Sequence, residues 1–163
     1  MAGKIEFREL LEALTRHRVR MVVIGGVAMV LHGSSHLTRD LDIAYGRNDE
    51  NLKALVEALA PYSPRLRGAP EDLPFRWDAR TLKAGLNFTL ATSVGDVDVL
   101  GDAPGAPPFE EMLAHALDVD LGAMKVPIAS LDDLIRMKRA AGRPKDRLHI
   151  MELEALKRLL AEG

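Results

Sequence analysis

The sequence predicts one domain of the α/β or α+β class, and three observations support this prediction. The chain has 163 residues, 47% of them hydrophobic, which is enough for one domain with a core and too short for two. Segments with helical spacing of apolar residues alternate with short segments of strand character. Neither an internal repeat nor a low-complexity tract interrupts them. We expect a single domain over residues 1–163, with residues 130–163 as a C-terminal helical extension.

The N-terminal part of the chain predicts two helices and two strands. Apolar residues at i, i+3, i+4 and i+7 mark the first helix, through Phe7, Leu10, Leu11 and Leu14. The run RMVVIGG at 20–26 is typical of a buried strand, and residues 27–32 suit a short helix that ends at Gly33. The segment RDLDIAY at 39–45 alternates with a period of two and predicts a second strand.

The remaining chain predicts further strands and helices joined by loops. In order these are a helix capped by Asn48, a surface loop from Pro61 to Pro74, two strands or one hairpin over 86–101, a loop over 101–108, a helix over 109–116 and two short strands over 117–129. The capping-box pattern of Ser130 and Asp133 begins a helix that ends at Gly142 and Pro144. The last helix is predicted from Asp146 to about residue 160.

Composition excludes several classes of site. The chain has no cysteine, which excludes disulfides, thiolate zinc sites and cysteine nucleophiles and favours a reducing compartment. A net charge of −2 gives no overall attraction to nucleic acid or to an anionic membrane. No stretch resembles a signal peptide or reaches membrane-spanning length. We therefore expect a cytoplasmic protein with no membrane partner.

Two aspartates, Asp40 and Asp42, lie on one face of the second predicted strand. Side chains two positions apart on a strand are about 7 Å apart, so both carboxylates reach one region of space. Alone they would repel and raise each other's pKa, whereas a divalent cation would neutralise them and bind their oxygens. A solvated strand face carries the same pattern, so the pair alone leaves both interpretations open.

Gly25 and Gly26 lie between the first predicted strand and the short helix. Glycines there let the backbone approach a ligand closely, and the start of the helix offers free N–H groups to a phosphate. A tight strand-to-helix turn also needs glycine for its shape alone. No Gly-Lys-Ser/Thr follows, so this is not a Walker-type loop.

The order of these features, a buried strand, Gly-Gly, a short helix and Asp-Leu-Asp, resembles the signature of the nucleotidyltransferase superfamily that includes DNA polymerase β. The resemblance implies a nucleotidyltransferase fold, a short mixed sheet flanked by helices with a C-terminal helical segment. It implies that Gly25, Gly26 and Ser34 contact nucleotide phosphates. It also implies that Asp40 and Asp42 are catalytic and bind Mg²⁺ or Mn²⁺.

The superfamily has a third carboxylate on a later strand, and SVGDVDVLG supplies two candidates. Asp96 and Asp98 share one face of that predicted strand, while Val97 and Val99 share the other. The resemblance favours Asp98 as the third catalytic and metal-binding residue. Asp96 is the weaker candidate.

Longer segments resemble a subgroup of that superfamily, the bacterial AbiEii/AbiGii-type toxin nucleotidyltransferases and the small proteins grouped with them. The segments HGSSHLTRDLDI, LPFRWDARTLKAGLNFTL, GDVDVLG and LIRMKRAAGRPKD carry the resemblance in the same order. It implies a catalytic and nucleotide-binding role for Lys138. By position alone, Lys138 could equally lay its stem on the apolar helix face and extend its ammonium to solvent.

The segment 136–147 carries six basic residues and one acid, Asp146. It predicts either a solvated helix end or a basic rim for a triphosphate or an RNA. Asp146 is typical of an N-cap, although the related toxins use a Lys-Asp pair nearby. Those relatives often carry an acid where this chain has His149.

The resemblance implies an enzyme that moves a nucleoside monophosphate from an NTP to an acceptor hydroxyl and releases pyrophosphate. As a toxin it would modify an RNA such as tRNA, or a protein, and would have a cognate antitoxin as partner. Two alternatives stay open. One is transfer to a small, aminoglycoside-like molecule, and the other is a nucleotide-binding module without catalysis.

Overall fold

A computed structural model describes residues 2–35, 38 and 40–162, with the side chains of 7–35, 38 and 40–161. The elements in chain order are α1 (Ala2–Arg16), β1 (Met21–Ile24), α2 (Gly25–His32), β2 (Leu41–Tyr45), α3 (Asp49–Leu59), a 3₁₀ turn (Ala60–Tyr62), β3 (Arg65–Leu66), α4 (Ala79–Ala84), β4 (Asn87–Thr92), β5 (Gly95–Leu100), α5 (Phe109–His115), β6 (Leu117–Asp120), β7 (Lys125–Ile128), α6 (Leu131–Ala141) and α7 (Pro144–Glu162).

The described strands form one mixed sheet in the order β3-β4-β5-β2-β1-β7-β6. The pairs β2–β5 and β1–β7 are parallel, and the other neighbours are antiparallel. Helix α2 contacts β1, β2 and α6, and α6 in turn packs on α7. The fold class predicted from the sequence is confirmed, as is the hairpin over residues 86–101.

The core fixes which face of the sheet carries the acids. Leu41 and Ile43 of β2 and Val97 and Val99 of β5 are fully buried, and each buried side chain of this kind contributes about 1.5–3 kcal/mol. A slip of one residue in either strand would expose these residues and bury the aspartates between them. The alternation predicted for both strands is therefore confirmed.

The structure differs from the predicted elements in four places. Strand β1 ends at Ile24, so Gly25 and Gly26 belong to the first turn of α2. The predicted loop between Pro61 and Pro74 contains the 3₁₀ turn and β3. Helix α4 was not predicted; the side chain of Asp78 caps it by accepting a hydrogen bond from the backbone N–H of Thr81 at 2.8 Å.

The fourth difference concerns the start of the last helix. Helix α7 begins at Pro144, because the fixed φ of proline and its missing N–H suit a first helical position. Asp146 is thus in the first turn and is not the N-cap. Its Oδ2 reaches back to accept the backbone N–H of Arg143 at 3.0 Å, which is the acid half of a capping box.

No helix within the described residues is both long enough and apolar enough to cross a membrane.

Candidate active site

Neighbouring strands place the acidic residues in a row across the sheet. The ladders pair Ile24 with Asp42, Asp42 with Asp98, and Asp98 with Thr89. Residues directly opposite each other on neighbouring strands point to the same face of the sheet. The topology therefore brings two aspartates 56 positions apart in the chain side by side.

Asp40 and Asp96 complete what we call the acidic cluster, formed by Asp40, Asp42, Asp96 and Asp98. Asp96 lies two positions before Asp98 on β5, and so on the same face. Asp40 directly precedes β2 and lies two positions before Asp42. The side chain of Asp40 is 53% exposed and that of Asp98 is 27% exposed. Solvent exposure within the cluster is therefore higher at Asp40 than at the pair Asp42 and Asp98.

Gly25 begins α2 directly against Asp42. Its φ of 67° lies in the left-handed region, which costs other residues about 1–2 kcal/mol. A β-carbon at Gly25 would overlap Oδ2 of Asp42. Glycine is therefore needed here both for the backbone turn and for the close approach of the carboxyl group to the start of α2.

The carboxyl group of Asp42 resists ionisation in this setting. Burial is the largest cause, followed by the charge of Asp98 and a hydrogen bond between the two carboxyl groups, with a smaller contribution from the charge of Asp40. Arg67 acts in the opposite direction. Together these effects raise the pKa of Asp42 from 3.8 to about 7, so a cation beside it would be strongly favoured.

Arg67 lies among the carboxylates and was not predicted from the sequence. Its Nη1 is 3.2 Å from Oδ2 of Asp96 and 3.8 Å from Oδ2 of Asp40, and its Nη2 donates a hydrogen bond to Oδ1 of Asp98. The segment SPRLRGAP held a weak signal, because two arginines at a spacing of two beside an apolar residue are compatible with a short edge strand. Nothing local to that segment indicates that its arginine reaches β5.

The acidic cluster has suitable chemistry for a divalent cation, although its present arrangement surrounds an arginine. All its possible metal ligands are oxygens, which Mg²⁺ prefers. In this structure the guanidinium of Arg67 supplies the positive charge that a metal ion would bring. No group of three or more acidic or histidine side chains in the described part of the chain is arranged as ligands around one metal ion. Asp42 and Asp98 are the pair that fits, and Asp40 would have to turn toward them.

Lys138 lies apart from the described contacts of the acidic cluster. Its side chain is 15% exposed, and its Nζ is 3.5 Å from Oδ1 of Asp146. Burial lowers the pKa of Lys138, and the nearby Asp146 opposes that shift. Among the described contacts, those of Lys138 lead to the α6–α7 corner and not to β2 or β5.

Asp146 is a buried anion at that corner. The side chain and backbone N–H of Arg143 donate hydrogen bonds to it, at 2.8 to 3.2 Å, and hold its pKa well below the ordinary range. Several of the basic residues in 136–147 are therefore used internally: Arg143 and Lys138 pair with Asp146, and Arg139 pairs with Glu154. The segment is less of an open basic rim than its composition suggests.

The remaining predicted phosphate contacts lie at the two ends of α2. Gly26 is in the first turn. Ser34 follows the left-handed cap residue Gly33, and its backbone N–H donates to the carbonyl oxygen of Met29 at 3.0 Å. That N–H is therefore used to end the helix.

A cavity of about 250 Å³ lies at the other end of the same strands. Its lining includes Tyr45, Leu100, Phe109 and Met112, and no member of the acidic cluster. The carboxyl groups that influence one another's ionisation lie in the acidic cluster. We therefore place the candidate active site at the acidic cluster and not in the cavity.

Comparisons with known proteins agree with the fold. The chain matches no protein-family model and no curated protein. It is similar to the crystal structure of a candidate nucleotidyltransferase from Thermotoga maritima, with a TM-score of 0.51 over 96% of this chain and 91% of that chain. The two sequences are 17% identical, so the likeness establishes the fold alone. The chain thus has a nucleotidyltransferase-like fold, a mixed seven-stranded sheet flanked by helices with a C-terminal helical segment.

Proposed function

We propose that the chain is a metal-dependent nucleotidyltransferase, which moves a nucleoside monophosphate from an NTP to an acceptor hydroxyl. One observation carries the proposal: Asp42 and Asp98 are opposite each other on neighbouring strands, and Asp42 lies against the glycine turn that begins α2. The N-terminus of a helix attracts phosphate, and a pair of carboxylates attracts divalent cations. An NTP complexed with a divalent cation has both the phosphates and the cation.

Asp40, Asp42 and Asp98 would hold Mg²⁺ or Mn²⁺. Such ions, when bound, neutralise the charge of the triphosphate and lower the pKa of an attacking hydroxyl. Both the chemistry of the oxygen donors and the raised pKa of Asp42 support a cation at this place.

The chain's own residues would position the substrates. The backbone N–H groups of Gly25 and Gly26, with Ser34, would bind phosphate oxygens, and Lys138 would act as a point charge on the triphosphate. Asp98 would accept the proton of the acceptor hydroxyl. The acceptor oxygen then bonds to the α-phosphorus, the bond from that phosphorus to the bridging oxygen breaks, and pyrophosphate leaves.

The acceptor is proposed as a hydroxyl of RNA, of a protein or of a small molecule. The resemblance to toxin nucleotidyltransferases supports an RNA or protein acceptor and a cognate antitoxin. The internal pairing of Lys138, Arg139 and Arg143 reduces the positive charge available to RNA and favours the smaller acceptors.

A nucleotide-binding module without catalysis is the second candidate. It is favoured by Arg67, because a guanidinium already neutralises part of the acidic cluster. Such a module would bind an NTP without forming pyrophosphate in the presence of any acceptor.

The test is transfer of label from each NTP, labelled at its α-phosphate, to RNA, protein and small-molecule acceptors in the presence of Mg²⁺. We expect Asp42→Asn to abolish transfer, and Asp72→Asn, which changes an exposed loop aspartate, to leave it intact. Transfer that is unaffected by Asp42→Asn would contradict the site. Nucleotide binding without pyrophosphate release would favour the non-catalytic module.

A further inference from the structure

Arg67 is held by the sheet, although it follows a strand of two residues. Its backbone N–H donates to the carbonyl oxygen of Thr89 at 2.9 Å, and it continues the register that pairs Leu66 with Leu90. Thr89 is in turn opposite Asp98. Arg67, Thr89 and Asp98 therefore follow one another across three strands on one face.

The side chain of Arg67 crosses Thr89 to reach the acidic cluster. Its guanidinium contacts Asp40, Asp96 and Asp98, and the side chain is 26% exposed. A planar guanidinium can bridge several carboxylates at once, and such charge-assisted hydrogen bonds are stronger than neutral ones. This is a built contact and not a chance pairing of flexible surface chains.

Arg67 neutralises only part of the negative charge of the acidic cluster. Three carboxyl groups of the cluster contact the one guanidinium, so the cluster keeps negative charge even with Arg67 in place. A divalent cation brings twice the charge to the same oxygens, but it needs Asp98, whose Oδ1 accepts a hydrogen bond from Arg67. The two cations therefore compete for one carboxylate.

We propose that Arg67 is the resident counter-charge of the acidic cluster, and that its guanidinium must leave Asp98 when a divalent cation binds. This inference rests on the proposed function, because it assumes that the cluster binds metal. Binding of the cation then includes the cost of breaking the Arg67–Asp98 pair. Arg67 stabilises the metal-free protein and weakens its affinity for metal.

The test uses Mn²⁺ alone, without nucleotide, with free Mn²⁺ measured by electron paramagnetic resonance. We expect Arg67→Gln to tighten Mn²⁺ binding about tenfold, as expected for removing a charged hydrogen bond that competes with the ion. Arg65→Gln is the matched control. It removes the same charge two positions earlier on β3, from an exposed side chain, and we expect less than a twofold change.

A second measurement follows the wild-type protein and does not depend on how well a variant folds. The Nε–Hε resonance of Arg67, assigned by its absence in Arg67→Lys, is expected to shift on titration with Mg²⁺, while that of Arg65 stays in place. An unmoved Arg67 resonance at saturating Mg²⁺ would overturn the inference.

The outcomes separate this inference from the proposed function. Equal or weaker Mn²⁺ binding in Arg67→Gln would overturn the role of Arg67, while loss of binding in Asp98→Asn would still support the metal site. Binding that survives Asp98→Asn unchanged, or that is absent from the wild type and Arg67→Gln alike, would overturn both.

Discussion

Replacement of Asp42 by Asn should stabilise the metal-free protein, and should do so only above acidic pH. Asn keeps the shape of the side chain and removes its charge. A carboxyl group whose pKa is higher in the folded protein than in the unfolded chain binds more protons when folded. The free energy of unfolding of the wild type therefore falls as the pH rises from about 4 to about 7.

The magnitude follows from the pKa of Asp42, which is raised from 3.8 to about 7. At about 1.36 kcal/mol for each pH unit, the cost of holding the ionised carboxylate in the fold reaches at most about 4 kcal/mol above pH 7. Asn at position 42 avoids that cost. We expect the stabilisation to be near zero at pH 4 and to approach this limit at pH 8.

The assay is urea unfolding, followed by far-ultraviolet circular dichroism, at pH 4, 6 and 8 with EDTA present. Asp72→Asn, which changes an exposed loop aspartate, controls for the loss of one negative charge. A gain of equal size at pH 4 and pH 8 would refute the reasoning, as would an Asn variant less stable than the wild type at pH 8. The same variant is expected to lose nucleotidyl transfer, so stability and activity should change in opposite directions.

Two further predictions follow from the geometry, and a third, on Lys138, follows from the proposed function. Gly25→Ala should lower the free energy of unfolding by about 2 kcal/mol or more. The control Gly68→Ala should lower it by about 1 kcal/mol, because Gly68 also has a positive φ, 79°, but a β-carbon there would meet no other atom within 4 Å. Equal losses in urea unfolding would argue against the close contact at Asp42. Asp146→Asn should lower the free energy of unfolding by about 3 kcal/mol above pH 4, because Arg143 and Lys138 lose their buried negative partner. Since the pKa of Asp146 is depressed in the folded protein, this loss should shrink as the pH falls below about 4, and a loss independent of pH would count against the ion pair. Lys138→Gln should raise the KM for NTP about tenfold and leave Mn²⁺ binding unchanged, and an unaltered KM would remove Lys138 from the nucleotide site.

Much of the fold could be predicted because its strands and helices carry local signals. The period of two in residues 39–45 and 95–100 placed the aspartates on one face and the core residues on the other. The Gly-Gly pair indicated a tight turn between the strand and the helix, where Gly25 has its left-handed backbone conformation. The pairing of Asp42 with Asp98 came from a resemblance, since the order of strands in a sheet has no local signal.

Other features escaped prediction because they depend on contacts between distant parts of the chain. Arg67 belongs to the site through a pairing with Thr89 and a reach to Asp98, and neither can be seen in the segment that contains it. The role of Asp146 was wrongly assigned because both an N-cap and a first-turn acid fit the same composition. Helix α4 has six residues, too few for a periodic pattern.

The most direct test of the account compares NTP labelled at the α-phosphate with NTP labelled at the γ-phosphate, in wild-type protein and in Asp98→Asn. The account predicts that the α-label appears on the acceptor and the γ-label in released pyrophosphate, both requiring Mg²⁺ and both lost in Asp98→Asn. Transfer of the γ-label to the acceptor, or transfer of the α-label that persists in Asp98→Asn, would contradict it.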